Sequence, residues 1–109
     1  LGRDGLAELV SRCCRHAARM AAALRAGGCE VLNEVTLNQV LVAFGDDART
    51  NRVIAAVQEA GECWCGGTRW QGRDAMRISV SSWATTDADV DRSVASILAC
   101  AARTAEPGR

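Results

Sequence analysis

Five consecutive apolar residues, VLVAF at positions 40–44, constrain the fold of this chain more than any other segment. A strand with one wet face alternates apolar and polar residues, and this run contains no polar residue. The run therefore predicts a central strand of a sheet, covered on both of its faces.

The segment that precedes this strand predicts a long helix. Between residues 4 and 26, apolar side chains recur at alternating steps of four and three, which places them in one stripe on a helix of about six turns. Asp4 is the expected N-cap, and Gly27 and Gly28 are the expected C-terminal stop. The stripe consists of Leu6, Val10, Cys13, Ala17, Met20 and Leu24.

Local signals divide the rest of the chain into short elements. Residues 45–47 have turn chemistry, and the pair Gly66 and Gly67 is expected to interrupt a strand as a bulge or to let a ligand come close. Thr86 with Asp89 resembles a capping box at the start of the last helix. Strands are expected at residues 30–35, 38–44, 62–70 and 75–82, and helices at 50–60 and from 86 to about 103.

This order of elements predicts an α+β fold, in which a small, mainly antiparallel sheet of about four strands is backed by helices. At 109 residues the chain has the usual size of one domain. The expected organisation is a long helix over residues 1–28 that leads into the domain, the domain itself over 29–103, and a frayed tail over 104–109. Because the chain begins with Leu1 and not with methionine, we expect it to be a piece of a longer polypeptide.

Charge and composition exclude several classes of function. Thirteen basic and thirteen acidic residues cancel, so the positive field that attracts nucleic acids or anionic membranes is missing. All thirteen basic residues are arginine, which excludes a lysine Schiff base within the chain. No segment has the pattern of a membrane span or a signal peptide, and we expect a soluble, cytoplasmic protein.

The six cysteines predict neither a disulfide scaffold nor a metal site. Three of them fall in helical patterns, and the apolar content suffices for a core without disulfide bonds. Cys63 and Cys65 could supply two metal ligands, yet His16 is the only histidine and no second cysteine pair completes a tetrahedral set. We expect reduced, packed thiols, no bound metal, and a surface or helix-packing role for His16, for which the sequence shows no acid or nucleophile partner.

Arg77 is the strongest candidate for a binding residue. In its predicted strand Met76 and Ile78 belong to the apolar set, so Arg77 and Ser79 point together to the opposite face, with Ser81 after them. A guanidinium on a rigid strand suits a carboxylate or phosphate, which it holds through two parallel hydrogen bonds. The alternative interpretation is a solvated outer face with Arg77 in a surface ion pair.

Three runs carry a resemblance to a known family: VLNEVTLNQVLVAFGDD, TNRVIAAVQEAG and CWCGGTRWQGRDAMRISVSSWATTDADVDRSV. Together they resemble the C-terminal small domain of pyridoxal-phosphate-dependent group II amino-acid decarboxylases, which belong to the fold-type-I, aspartate-aminotransferase-like superfamily. The earlier run GLAELVSRCCRHAARMAAAL is similar to the helix that joins the large domain of these enzymes to the small one.

The resemblance implies a role for Arg77. In several members of the family an arginine on the equivalent strand reaches the active-site cleft and binds a substrate carboxylate, and Arg77 within AMRISVSSW matches that position. Thr68 and Ser79 are weaker candidates for substrate binding. Because a decarboxylase should leave the scissile carboxylate poorly stabilised, Arg77 would either bind another carboxylate or organise the cleft.

The resemblance also implies what this chain lacks. The lysine that holds pyridoxal phosphate, and the aspartate and histidine beside the cofactor, belong to the large domain of the family and have no counterpart here. We therefore expect no catalytic and no cofactor-binding residue in this chain, which should be inactive alone. The implied partners are a cofactor-carrying large domain of the same polypeptide, a second subunit of a homodimer, and an amino-acid substrate.

Two other hypotheses stay open at this point. One is a free-standing ferredoxin-like module that binds a small carboxylate or mediates dimerisation. The other keeps the architecture and changes the reaction, so that the parent enzyme is an aminotransferase or a cysteine-sulfur lyase of the same superfamily.

Overall fold

The structure, a computed structural model, describes residues 3–32, 39–63, 65–79 and 86–104, without the side chains of residues 3–10 and 12. Three helices and four strands occupy these ranges. In chain order they are α1 (Arg3–Ala26), β1 (Glu30–Val31), β2 (Gln39–Ala43), α2 (Asp47–Ala60), β3 (Gly66–Trp70), β4 (Arg73–Ser79) and α3 (Asp87–Arg103).

The four strands form one antiparallel sheet in the order β1-β2-β4-β3. The predicted α+β class and antiparallel sheet are confirmed. The apolar run lies, as predicted, in a central strand: β2 has β1 on one side and β4 on the other, and each of residues 40–44 is at most 8 % exposed.

The helices pack against one face of the sheet. Val40 and Val42 of β2 point to that face together with Met76 and Ile78 of β4, and none of the four is more than 2 % exposed. Burying a side chain of this size contributes roughly 1.5–3 kcal/mol, so this layer is the main source of the domain's stability. The helical side of the core contains Ala17, Met20, Ala21, Leu24, Val53, Ile54, Val57, Val90, Val94, Ile97, Cys100 and Ala101.

Helix α1 ends as the sequence predicts. Gly28 has φ +94°, which favours glycine, and the backbone N–H of Cys29 closes the last turn by donating to the carbonyl of Leu24. Gly27 is needed for a different reason: a Cβ there would lie 2.6 Å from Cδ2 of Leu98 on α3. The missing side chain allows the end of α1 to approach α3.

Helix α2 begins three residues earlier than predicted, at Asp47 in place of Thr50. Residues 45–47, which were predicted to be a turn, contain the N-cap of α2. Asp46 has an extended backbone, and its side chain accepts a hydrogen bond from the N–H of Arg49. Thr50 instead lies inside the helix, fully buried, where its hydroxyl accepts a 3.0 Å hydrogen bond from the N–H of Phe44.

The predicted bulge at the glycine pair is wrong. Gly66 and Gly67 pair in regular register with Arg77 and Met76, so β3 starts at Gly66 and is not interrupted there. Residues 62–63, predicted to be strand, form a bend. On the other side of the tight turn, β4 begins at Arg73, two residues before its predicted start.

Helix α3 has the predicted capping box. The hydroxyl of Thr86 accepts from the N–H of Asp89, and the carboxylate of Asp89 accepts from the N–H of Thr86. These bonds hold the pKa of Asp89 below its usual value. Among the described residues no helix is both long and apolar enough to cross a membrane.

Several predictions fall outside the described residues. They concern parts of the predicted strands at residues 33–35, 38, 64 and 80–82, the last of which contains Ser81, and the tail at 105–109.

Candidate functional site

The sheet face opposite the helices is the candidate binding surface. In an antiparallel pair, directly opposite residues share a face, so the register groups Arg77 with Leu41 of β2 and Gly66 of β3. We call this the Arg77 face. Its described strand residues are Glu30, Gln39, Leu41, Ala43, Gly66, Thr68, Trp70, Arg73, Ala75, Arg77 and Ser79.

Arg77 itself is exposed on this face, as the alternation predicts. Its guanidinium makes no hydrogen bond or ion pair with any other described residue, so the alternative of a surface ion pair finds no partner within this part of the chain. The two nearest strand arginines differ. Arg73 donates two 2.9 Å hydrogen bonds to Glu30, and Arg69 donates to Asp74.

The bond to Arg73 also sets the charge state of Glu30. The hydrogen bond and the positive charge of the guanidinium together hold the pKa of Glu30 below its usual value. This pair lies at the opposite end of β4 from Ser79, and its two charges satisfy each other. The pair stabilises the edge of the sheet. Among the arginines of the described strands, Arg77 is the one whose guanidinium is not already bonded to another described residue.

The two weaker candidates share the face with Arg77. Thr68 lies opposite Ala75 and is half-buried, one diagonal step from Arg77, or roughly 7–8 Å. Ser79 is exposed and lies two residues along β4, about 7 Å away. The structure therefore brings the three predicted site residues to one surface, at a spacing that one small ligand could span.

Next to Arg77 the floor of this face is apolar. Leu41, directly opposite it, is 8 % exposed, and Ala75, two residues along the strand, is fully buried. Because both side chains are already buried, what this face offers to a ligand beside them is the exposed guanidinium of Arg77.

A separate cavity of about 410 Å³ opens near the end of α1. Its wall includes Cys29, Phe44 and Arg49, and it contains none of the predicted site residues. Arg49 is held there by a 3.1 Å hydrogen bond from Nη2 to the carbonyl of Ala101, while burial raises the pKa of the Cys29 thiol. The thiol therefore stays protonated near neutral pH, while Nε of Arg49 is buried without a hydrogen-bond partner among the described residues.

The paired cysteines of the sequence are buried and chemically quiet. Burial, with smaller contributions from the neighbouring thiols of Cys63 and Cys100, raises the pKa of Cys65 to about 11. A thiol must lose its proton to ligate a metal or act as a nucleophile, so Cys65 does neither readily near neutral pH. Among the described residues no group of three or more potential metal ligands comes together.

His16 has a partner that the sequence did not reveal. It is 7 % exposed, and its Nε2 lies 3.4 Å from a carboxylate oxygen of Asp87 at the start of α3. Arg19, one turn further along α1, donates two hydrogen bonds of 3.0 and 2.9 Å to Asp91. These contacts join α1 to α3, so of the two roles predicted for His16 its position supports helix packing and not a surface location.

The fold is one found in pyridoxal-phosphate-dependent group II decarboxylases, as the resemblance predicted. No protein family and no curated protein matches the sequence.

Two solved structures carry this assignment. A tryptophan decarboxylase (TDC) from Oryza sativa, solved with PLP and tryptamine, superposes with a TM-score of 0.82 at 15 % identity, over 88 % of this chain and 22 % of that chain. The glutamate decarboxylase domain of the diaminobutyrate-pyruvate transaminase and L-2,4-diaminobutyrate decarboxylase from Vibrio parahaemolyticus gives a TM-score of 0.74 at 18 % identity, with the same coverage of 88 % and 22 %. At such identities the likeness shows the fold alone. The matched share of each longer chain is consistent with one small domain of a larger polypeptide.

Proposed function

We propose that this chain is the C-terminal small domain of a pyridoxal-phosphate-dependent amino-acid decarboxylase, where it closes one side of the active-site cleft and Arg77 binds a carboxylate of the substrate. The observation that supports this most is the Arg77 guanidinium, unpaired among the described residues, on the sheet face that the helices leave uncovered. The likeness of the fold to domains of decarboxylases supports decarboxylation as the class of reaction.

The proposed role of Arg77 is binding. A guanidinium meets a carboxylate through two parallel charged hydrogen bonds, each worth roughly 1.5–3 kcal/mol. Decarboxylation removes the charge of the scissile carboxylate, so strong binding of that group would stabilise the ground state more than the transition state. The carboxylate that Arg77 binds is therefore one other than the scissile group, so Arg77 contributes to substrate affinity and orientation, and its loss should raise KM more than it lowers kcat.

None of this chain's residues fits the cofactor. Pyridoxal phosphate supplies the electron sink for decarboxylation when an enzyme binds it through a lysine, and this chain contains no lysine. We assign the cofactor to a large domain of the same polypeptide, with the active site at the subunit boundary of a homodimer. The 109 residues alone should bind no cofactor and release no carbon dioxide.

The complete product of the gene provides the test. We expect its reading frame to encode a lysine-containing large domain before Leu1, and the purified polypeptide to show the absorbance of bound pyridoxal phosphate and to release carbon dioxide from an amino acid. A reading frame that encodes the small domain alone would contradict the proposal and favour a free-standing module. Transamination without carbon dioxide release would instead favour an aminotransferase.

A further inference from the structure

The geometry points to Gly66 as a specificity-determining residue: we infer that the space left by its missing side chain is where a carboxylate of the substrate other than the scissile one lies against Arg77. This inference rests on the proposed function. It adds the residue that decides whether a carboxylate can reach the guanidinium.

The register places Gly66 directly opposite Arg77 across the β3–β4 pair, on the same face of the sheet. Side chains at such positions have Cβ atoms about 4.5–5.5 Å apart. On the other side of Arg77, the directly opposite residue is Leu41, whose side chain is buried in the floor of the face. Arg77 thus has the buried side chain of Leu41 on one side and the bare backbone of Gly66 on the other.

The space above Gly66 is open. No heavy atom of the described residues lies within 4 Å of the position that a Cβ on Gly66 would take. Strand β3 is also at the edge of the sheet, so no further described strand lies beside Gly66. A planar carboxylate can approach the guanidinium across this glycine.

Neither backbone geometry nor packing explains a glycine at this position. Gly66 does not have the positive φ that makes Gly28 and Gly72 difficult to replace. Glycine in a strand interior also weakens the strand, and it often marks a site where a ligand or another backbone comes close. Close approach of a ligand beside Arg77 accounts for its presence.

Gly67 provides a matched control in the next position. Its side chain would point to the opposite face, where a Cβ would lie 3.9 Å from Cδ1 of Ile54, an ordinary van der Waals distance. Alanine should therefore be tolerated by the fold at both positions. Only at Gly66 would the added methyl group occupy the space beside Arg77.

The experiment compares Gly66→Ala, Gly66→Val, Gly67→Ala and Arg77→Gln in the complete enzyme, with the amino acid that it decarboxylates. We expect Gly66→Ala to raise KM several-fold with kcat little changed, Gly66→Val to raise it more, and Gly67→Ala to leave both constants as they are. Arg77→Gln should raise KM roughly tenfold, the scale of losing one charged hydrogen bond. In the Arg77→Gln background, Gly66→Ala should add little, because both changes remove the same interaction.

The outcomes separate this inference from the proposed function. If Arg77→Gln raises KM and Gly66→Ala behaves like Gly67→Ala, the inference about Gly66 is wrong and the proposed role of Arg77 stands. If Arg77→Gln has no effect, both fail. If the increases in KM caused by Gly66→Ala and Arg77→Gln multiply in the double variant, the two residues act independently and the inference is overturned. A Gly66→Ala enzyme with unchanged KM but a lower melting temperature would also overturn it, because the space above Gly66 would then be filled by another part of the protein.

Discussion

Replacing Thr50 by valine tests how the junction between β2 and α2 is held. Thr50 is 0 % exposed, and its hydroxyl accepts a 3.0 Å hydrogen bond from the N–H of Phe44, the residue that directly follows β2. Valine keeps the shape and the β-branch of threonine but offers no acceptor. The buried N–H of Phe44 would lose its partner in the folded chain.

The expected cost follows from two opposing effects. An unsatisfied buried donor costs about 1–3 kcal/mol, and exchanging the hydroxyl for a methyl group in an apolar site returns roughly 0.8 kcal/mol. We expect Thr50→Val to lower the free energy of unfolding by about 1–2 kcal/mol. With an m-value of about 1–2 kcal/mol/M for a domain of this size, the midpoint of urea unfolding should fall by about 1 M.

Urea unfolding of the 109-residue chain, followed by tryptophan fluorescence, measures this change. Thr68→Val is the matched control, because Thr68 is half-buried on β3, makes no side-chain hydrogen bond to a described residue, and lies where valine is a good strand former. Its stability should stay the same or rise slightly. If the midpoint of Thr50→Val falls no further than that of Thr68→Val, the hydrogen bond to Phe44 does not stabilise the junction as argued.

Three further predictions concern charge and packing. In the complete enzyme, Arg77→Lys should raise KM by up to about tenfold, because an ammonium cannot reproduce the two parallel hydrogen bonds of the guanidinium; unchanged steady-state kinetics would place Arg77 outside the site. The folded-state pKa of Glu30 is lowered by Arg73, so the stability this pair contributes is present above about pH 4.3, the pKa of unfolded glutamate, and is lost as the pH falls through the folded pKa. The acid unfolding of the Glu30→Gln variant should therefore lack this part of the pH dependence. If the variant and the unchanged chain have the same acid transition, the prediction is refuted. Gly27→Ala should destabilise the chain by roughly 1 kcal/mol in thermal unfolding, because its methyl group would overlap Leu98, and the same change should be nearly neutral in a Leu98→Ala background; equal losses in both backgrounds would show that the overlap is not the cause.

Elements with a strong local signal could be predicted from the sequence. The stripe of α1 follows from its helical period, and Cys13, Ala17, Met20 and Leu24 are buried as that period requires. The capping box at Thr86 could be predicted because it depends only on residues three apart. The direction of the Arg77 side chain could be predicted because it depends only on the alternation within its own strand. In each case the deciding interactions lie within a few residues along the chain.

Boundaries and long-range pairs could not be predicted in the same way. The residues 45–47 suit a turn and a helix cap equally, and only the bond from Arg49 to Asp46 decides between them. The pairing of His16 with Asp87 depends on how α1 packs against α3, which no local pattern encodes. The opening over Gly66 depends on the register of β3 against β4, since a shift of one residue would place a different side chain beside Arg77.

The burial of Met76 and Ile78 also has a consequence for the entropy of binding at Arg77. Both neighbours of Arg77 in the strand are held in the core, at 0 % and 2 % exposure, so the backbone cannot turn the arginine away without exposing two large apolar side chains to water. Exposing them would cost roughly 3–6 kcal/mol. The backbone position of Arg77 is therefore fixed before any ligand binds. A ligand that binds there restricts only the side-chain torsions of Arg77, so binding costs less conformational entropy.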